Sequence, residues 1–359
     1  MNTNFDVSII VLTYNHENFI EEALESIFAQ DSNLHLELII HNDCSTDKTA
    51  KLIKPFLLRN RSNITVRYIE PKVNRFSTGM MFISEILQSC LGTYVAFLEG
   101  DDYWTDKLKL QKQFDILESN SNFAICAHAF SRISEGIPSQ LIRANANDAG
   151  VIPLTDFAEG NKIGTLTVMA RRDRIPELPQ GYNFLKIGDY PIWGLTTGLE
   201  GILYINTEMA HYRVHGNNYF ALTSSQFQSN AELESRAFIA ANLLDERRFI
   251  WINSLVKTIE HYKSEYRDLD IHYQAQIDMR RHFELLSESL STKGDLNLTH
   301  HYELMRIERD HYKELATFGS FAGVSLGVIA NLKLLIKQGL VLTIACLNFP
   351  LKVVRKVWK

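Results

Sequence analysis

Four apolar, β-branched segments, Val7 to Thr13, Leu36 to His41, Ile64 to Ile69 and Tyr94 to Leu98, recur at intervals of roughly 28 residues. Stretches with helical spacing of apolar residues fill the gaps, from Glu17 to Gln30, Asp47 to Leu58 and Thr78 to Ser89. This alternation predicts βαβ units and a mainly parallel sheet, an α/β, Rossmann-like fold. Crossovers in such a sheet are right-handed, and ligands gather beyond the C-terminal ends of the strands.

The residues that follow each strand are therefore the first candidates for a site. After the first come Thr13, Tyr14, Asn15 and His16; after the second, Asn42, Asp43, Cys44, Ser45, Thr46 and Asp47; after the fourth, Glu99, Gly100, Asp101 and Asp102. The second group has a local explanation, with Ser45 or Thr46 capping the next helix and Asp47 favouring its N-terminal dipole. The adjacent carboxylates of FLEGDDYW are harder to place that way, because side-by-side acids repel unless a cation lies between them.

Composition narrows the class. With 45% hydrophobic and 22% charged residues and a net charge of -5, the chain is a folded protein without the basic excess of a nucleic-acid binder. Its four cysteines, Cys44, Cys90, Cys126 and Cys346, have no zinc-site or disulfide-scaffold spacing, so a reducing, cytoplasmic location is expected. The N-terminal apolar run lacks a basic region and is too short for a secretory signal.

SIIVLTYN, NDCSTDKT and FLEGDDYW, in this order and spacing, resemble the nucleotide-sugar half of family 2 glycosyltransferases, which have the GT-A fold. The resemblance covers about residues 5–220. It implies that Thr13, Tyr14 and Asn15 line the nucleotide site, that Asp43 accepts a hydrogen bond from a uracil ring N–H, and that Asp101 lies near the ribose. Asp102 is implied to bind a divalent metal, manganese or magnesium, that bridges the diphosphate. Leu12, Asn42 and Cys44 stand where the family usually has proline, the first acid of DDGSTD and its glycine. None of these departures removes an acid with an assigned role. Near the third strand Asn74 is kept, and Arg75 stands either as a nucleotide-site phosphate contact or as an ordinary surface residue.

Downstream, KIGDYPIWGLTTGLEGILYINTEMAHYRVHGNN matches the family's second block. By that resemblance Asp189 is the catalytic base, Arg213 a diphosphate contact and His215 an additional metal ligand. Read without the family, an acid before a helix is a cap and a lone histidine is structural. IGTLTVMARRD, residues 163–173, resembles the segment bordering the acceptor pocket, with Thr165 and Thr167 expected on a strand, and residues 130–162 read as irregular.

These readings divide the chain into a GT-A domain over residues 1–225, with a nucleotide-sugar half at 5–105 and an acceptor half at 106–225, then a helical extension at 226–316 and a basic apolar tail at 317–359. The extension's apolar stripe packs within the chain or forms a homodimer interface, the former being the default. After Glu314 there are no acids, and Lys333, Lys337, Lys352, Arg355, Lys356 and Lys359 lie among apolar residues. The run from Gln338 to Leu351 is shorter than the ~20 residues a spanning helix needs, so the tail is expected either to lie as an amphipathic helix on an anionic membrane surface, by the family resemblance the inner face, or to cover an apolar face of the protein.

The function expected is an inverting, metal-dependent transfer from a nucleotide-sugar, UDP-linked by the Asp43 resemblance, to a glycan or lipid-linked acceptor in surface polysaccharide synthesis. A catalytically silent nucleotide-binding scaffold is the alternative. A processive synthase would need spanning segments and a QxxRW signature, and a nucleotidyltransferase would need a glycine-rich basic loop after the first strand. Neither feature is found in this sequence.

Overall fold

The structure is a computed structural model that describes residues 5–254 and 257, apart from 60, 77–81, 135, 217 and 219–222. The basic tail, Cys346 and most of the proposed helical extension lie outside the described residues. The described residues form two compact units, one of residues up to Leu178 together with Ile192–Thr223, the other of Pro179–Pro191 together with the described residues from Ser224.

The first unit is built on a mixed, mostly parallel sheet. Its strands are β1 (Val7–Thr13), β2 (Leu36–Asn42), β3 (Ile64–Ile69), β4 (Tyr94–Glu99), β5 (Tyr103–Trp104), β6 (Ile125–Ser134), β7 (Ile137–Ile142), β8 (Val151–Ile152), β9 (Met169–Arg171) and β10 (Ile202–Val214). The order is β3-β2-β1-β4-β9-β6-β10-β5, with β7 on β6 and β8 on β10. β1 pairs in parallel with both β2 and β4, and β2 with β3. β9 runs antiparallel to β4 and to β6, while β10 is parallel to β6.

Helices α1 (Ile20–Phe28), α2 (Thr49–Leu57), α3 (Ile83–Ser89), α4 (Lys109–Ser119) and α5 (Leu154–Ala158) complete this unit. α1 buries Ile20, Ala23, Leu24, Ile27 and Phe28 and carries Glu21, Glu22 and Glu25 on its other side. That is the stripe a helix lying on a sheet requires. β1 and β2, covered on both faces, are apolar nearly throughout, with Val7, Ile9, Ile10, Val11, Leu36, Leu38, Ile39 and Ile40 fully buried.

Two groups of polar side chains inside this core are paired. At the N-terminal end of the strands, Ser8 Oγ donates to Glu37 at 2.5 Å, Arg67 reaches the other Glu37 oxygen, and the Gly92 N–H donates to Ser8 Oγ at 2.8 Å. In α4, the buried Lys109 ammonium donates to Gln113 at 2.8 Å and sits 4.1 Å from the Trp104 ring centroid. Gln113 in turn donates to the carbonyls of Cys126 (2.9 Å) and Thr167 (2.8 Å).

Two local expectations are corrected. Thr165–Thr167 is a 3-10 turn rather than a strand. The Thr167 N–H and hydroxyl both donate to the Gly164 carbonyl, at 2.9 and 2.7 Å, while Trp104 Nε1 takes the Leu166 carbonyl. These side-chain bonds displace a sheet ladder, and the strand begins only at Met169. Residues 130–162, read as irregular, contain most of the β6–β7 hairpin, the short strand β8 and α5. The exposed faces of β7 carry Ser139 and Gln140 beside Ile137 and Leu141, which blurs its period-2 pattern.

The second unit contains α7 (Ser225–Asn242) and a following helical stretch at 247–254. α6 (Asp189–Thr196) begins in this unit and continues into the first. Ser224 caps α7, accepting from the Phe227 N–H at 3.2 Å. Among the described residues no helix is long and apolar enough to cross a membrane.

Burial pulls the Lys109 pKa down to about 7. The unfolded chain holds that proton up to about pH 10.4. Between these values the unfolded state binds more protons, so the Lys109 contribution makes the fold more stable as pH rises. Urea unfolding at pH 7.5 and 9.5 is expected to show this increment, at most about 1.4 kcal/mol per pH unit, in the wild type and not in Lys109→Met.

Candidate functional site

Parallel register sets the site. Thr13 pairs with Asn42 and Leu12 with Glu99, so β1, β2 and β4 end together and their following turns meet at one sheet edge. The turn after β1 is welded to the one after β2. Asn15, in the left-handed region at φ +55, donates its N–H to Ser45 Oγ at 2.9 Å and accepts the Thr46 N–H on Oδ1 at 2.8 Å. The His16 N–H donates to Thr49 Oγ1 at 2.8 Å.

Asp47, rather than Ser45 or Thr46, serves the start of α2. Its carboxylate accepts the Thr49 N–H at 2.9 Å and the Glu17 N–H at 3.0 Å. Cys44 sits at φ +61, a conformation that favours glycine, at the position where the resembled motif has one.

Asp43 is buried, and its N–H donates to the Thr13 carbonyl at 2.9 Å. Its two carboxylate oxygens accept the N–H groups of Arg75 (2.8 Å) and Phe76 (2.9 Å), and its carbonyl accepts from Asn74 Nδ2 at 3.1 Å. A carboxylate offers about four acceptor sites, so Asp43 organises this loop and keeps lone pairs for a further donor. Arg75 holds Glu85 with a two-pronged ion pair at 2.7 and 2.6 Å. Tyr14 remains 41% exposed beside this edge.

At the end of β4 the Gly100 N–H donates to the Leu12 carbonyl at 2.8 Å, and the two acids turn inward behind it. Asp102 Oδ1 accepts the Arg213 backbone N–H at 2.8 Å, while its other oxygen, fully buried, has no hydrogen-bond partner among the described residues. Burial, reinforced by the charges of Asp101 and Glu99, holds the Asp102 pKa well above the carboxylate range. Burial pushes Asp101 the same way but is outweighed by the His215 hydrogen bond and the His16 charge, and its pKa is lowered. His215 Nε2 lies 3.0 Å and His16 Nε2 3.7 Å from Asp101 Oδ2.

Arg213 is the hub. Its Nη1 donates to the Asp101 carbonyl at 2.6 Å, its Nη2 pairs with Glu22 of α1, and its guanidinium lies 4.3 Å from the Tyr103 centroid and 5.2 Å from that of Phe19. Tyr103 Oη is bonded to His211 Nδ1 at 2.8 Å, and His211 Nε2 to Glu208 at 2.7 Å. Glu22 and Tyr103 carried no signal of this role in the sequence. Only His211, two residues before Arg213 and so on the same strand face, was within reach of a period-2 argument.

The structure thus brings Thr13, Tyr14, Asn15, Asp43, Arg75, Asp101, Asp102, Arg213 and His215 into one unit. Asp189 belongs to the other. There it opens α6, accepts the Tyr190 N–H at 2.7 Å, and follows Gly188, whose carbonyl accepts from Tyr182 Oη at 2.8 Å. Among the described residues no group of three or more His, Cys, Asp or Glu side chains is arranged to hold a metal.

The sequence model described as glycosyl transferase family 2 matches residues 8–172. The putative teichuronic acid biosynthesis glycosyltransferase TuaG of Bacillus subtilis is 31% identical over 219 residues, 59% of this chain and 80% of that protein. The chain belongs to glycosyl transferase family 2. An uncharacterised protein of Mycobacterium tuberculosis is 35% identical to this family 2 chain over 130 residues, only 36% of either protein's length. The crystal structure of Staphylococcus aureus TarS 1-349 in complex with UDP-GlcNAc superposes with a TM-score of 0.56 at 16% identity, covering 79% of this chain and 82% of that one. The shared architecture is the GT-A fold, with β1, β2 and β4 supplying the strand ends of the family motifs.

Gly100 is where this arrangement tolerates least. A Cβ there would lie 2.6 Å from Thr13 Oγ1, 2.7 Å from Thr13 Cβ and 2.9 Å from His16 Nδ1. Gly100→Ala is expected to destabilise the protein by about 1–3 kcal/mol, read as a lower urea midpoint.

Proposed function

We propose that this protein is an inverting, metal-dependent glycosyltransferase that moves a sugar from a UDP-sugar to a hydroxyl of a glycan or lipid-linked acceptor in surface polysaccharide synthesis. The observation that carries the reading is Asp102, a buried carboxylate with one oxygen fixed by the Arg213 N–H and the other unpartnered among the described residues, at the ligand-binding edge of a parallel sheet. Such an oxygen costs free energy unless a proton or a cation meets it.

The donor set suits a hard divalent cation that takes one or two protein ligands and completes its shell with phosphate oxygens and water, as manganese and magnesium do at nucleotide sites. Asp102 and His215 would hold it. When bound, the ion would offset the negative charge that builds on the departing diphosphate.

The other roles follow the family motifs. Thr13, Tyr14, Asn15 and Asp43 receive the nucleobase, with Arg75 bordering them, Asp101 lies by the ribose, and Arg213 contacts the diphosphate. Asp189 takes the proton of the acceptor hydroxyl as its oxygen bonds to the anomeric carbon. The bond from that carbon to the diphosphate oxygen breaks, and its electron pair leaves with UDP. A single displacement inverts the anomeric centre and needs no second carboxylate nucleophile. The basic apolar tail at 317–359 is read as a peripheral contact with the inner face of the membrane, which would bring the site to a lipid-linked acceptor.

Calorimetric titration of UDP with manganese is expected to show metal-dependent binding in the wild type and none in Asp102→Ala. Absence of UDP binding to folded wild-type protein would overturn the donor-site reading, and UDP binding without turnover would favour the silent scaffold. Asp189→Asn is expected to leave UDP affinity unchanged and to lower turnover about 10²–10⁴-fold, measured as UDP release with an acceptor present. Undiminished turnover would remove Asp189 from the mechanism.

A further inference from the structure

Resting on the donor-site reading above, we propose that Glu22 is the resident counter-ion of Arg213 and leaves it when a nucleoside diphosphate binds. Arg213 is held from four sides. Three of the holders cannot withdraw cheaply. The Asp101 carbonyl is part of the acid turn, Tyr103 is paired to β10 in the sheet, and Phe19 precedes α1 with its N–H bonded to the His16 carbonyl. Glu22 differs. Its side chain is 59% exposed on the first turn of α1, whereas that of Arg213 is 11% exposed. It can rotate into water without moving any backbone.

The exchange is chemically balanced. A guanidinium whose Nη1 is committed to a carbonyl and whose central carbon lies 4.3 and 5.2 Å from two ring centroids has Nη2 left for an anion, and Glu22 occupies it. Phosphate oxygens match that fork as well as a carboxylate does. A diphosphate must therefore compete with Glu22, whose exposed carboxylate keeps this half-buried pair open to displacement. Neutralising Glu22 should strengthen binding rather than weaken it, a gain that a misfolded variant would not produce. Glu21, its exposed neighbour on the same turn, is the control for simple loss of negative charge.

The test is calorimetric titration of UDP, pyrophosphate and uridine, with magnesium present, into the full chain as wild type, Glu22→Gln and Glu21→Gln. Glu22→Gln is expected to bind UDP and pyrophosphate about two- to fivefold more tightly, the range for an ion pair with one exposed partner, with uridine affinity unchanged. Glu21→Gln is expected to gain distinctly less. Normal wild-type binding with no gain in Glu22→Gln, a loss, or an equal gain in Glu21→Gln would overturn the role of Glu22 alone. Wild-type protein that binds neither UDP nor pyrophosphate would overturn the donor-site reading and this inference with it.

Discussion

Parallel pairing of β1 with both β2 and β4 is the constraint on which the rest depends. Because the register aligns Thr13 with Asn42 and Leu12 with Glu99, three chain segments separated by long helical crossovers end at one edge. The turns there bond one another, through Asn15 with Ser45 and Thr46 and Asp47 with Glu17, while the Asp43 and Gly100 N–H groups reach back to the Thr13 and Leu12 carbonyls of β1. A site of polar side chains is what remains when the apolar strands have been buried and the backbone groups of three turns must still be bonded.

Into this edge the chain returns more than a hundred residues later. Arg213, on β10, ties its backbone N–H to Asp102 and its guanidinium to the Asp101 carbonyl. Side-by-side acids in a buried turn are tolerable only because their environments differ. Asp101 faces His215 and His16 and stays easily ionised, whereas Asp102 is desolvated and favours its proton. The split makes one carboxylate a fixed charge and leaves the other an incomplete one, which is the property the proposed metal role draws on.

The elements that depart from the sequence pattern do so for local reasons. The turn at Thr165–Thr167 replaced an expected strand because Thr167 bonds Gly164 locally, while Trp104 and Gln113 take carbonyls from that same turn. The hairpin of β6 and β7 was hidden because β7, at the margin of the sheet, buries little and so carries no clean alternation. The three turns after β1, β2 and β4 meet at one edge as the sequence predicts, yet their inner bonding departs from expectation. Asp47 works at the helix start where Ser45 or Thr46 was expected, and Asp43 is engaged by the backbone of Arg75 and Phe76.

By itself the sequence determined the α/β class, the first four strands to within a residue or so, the edge where polar residues collect and the family. Those properties are written in short-range patterns, namely apolar runs at strand and helix periods and motifs of a few adjacent residues. Tertiary structure alone decided the state of each side chain at that edge: which oxygen of Asp102 has no partner among the described residues, which groups hold Arg213, and that Glu22 is one of them. The pairs responsible, Arg213 with Asp102 and Glu22 with Arg213, join strands and helices far apart in the chain. Their identity depends on sheet order and register, which no local pattern encodes.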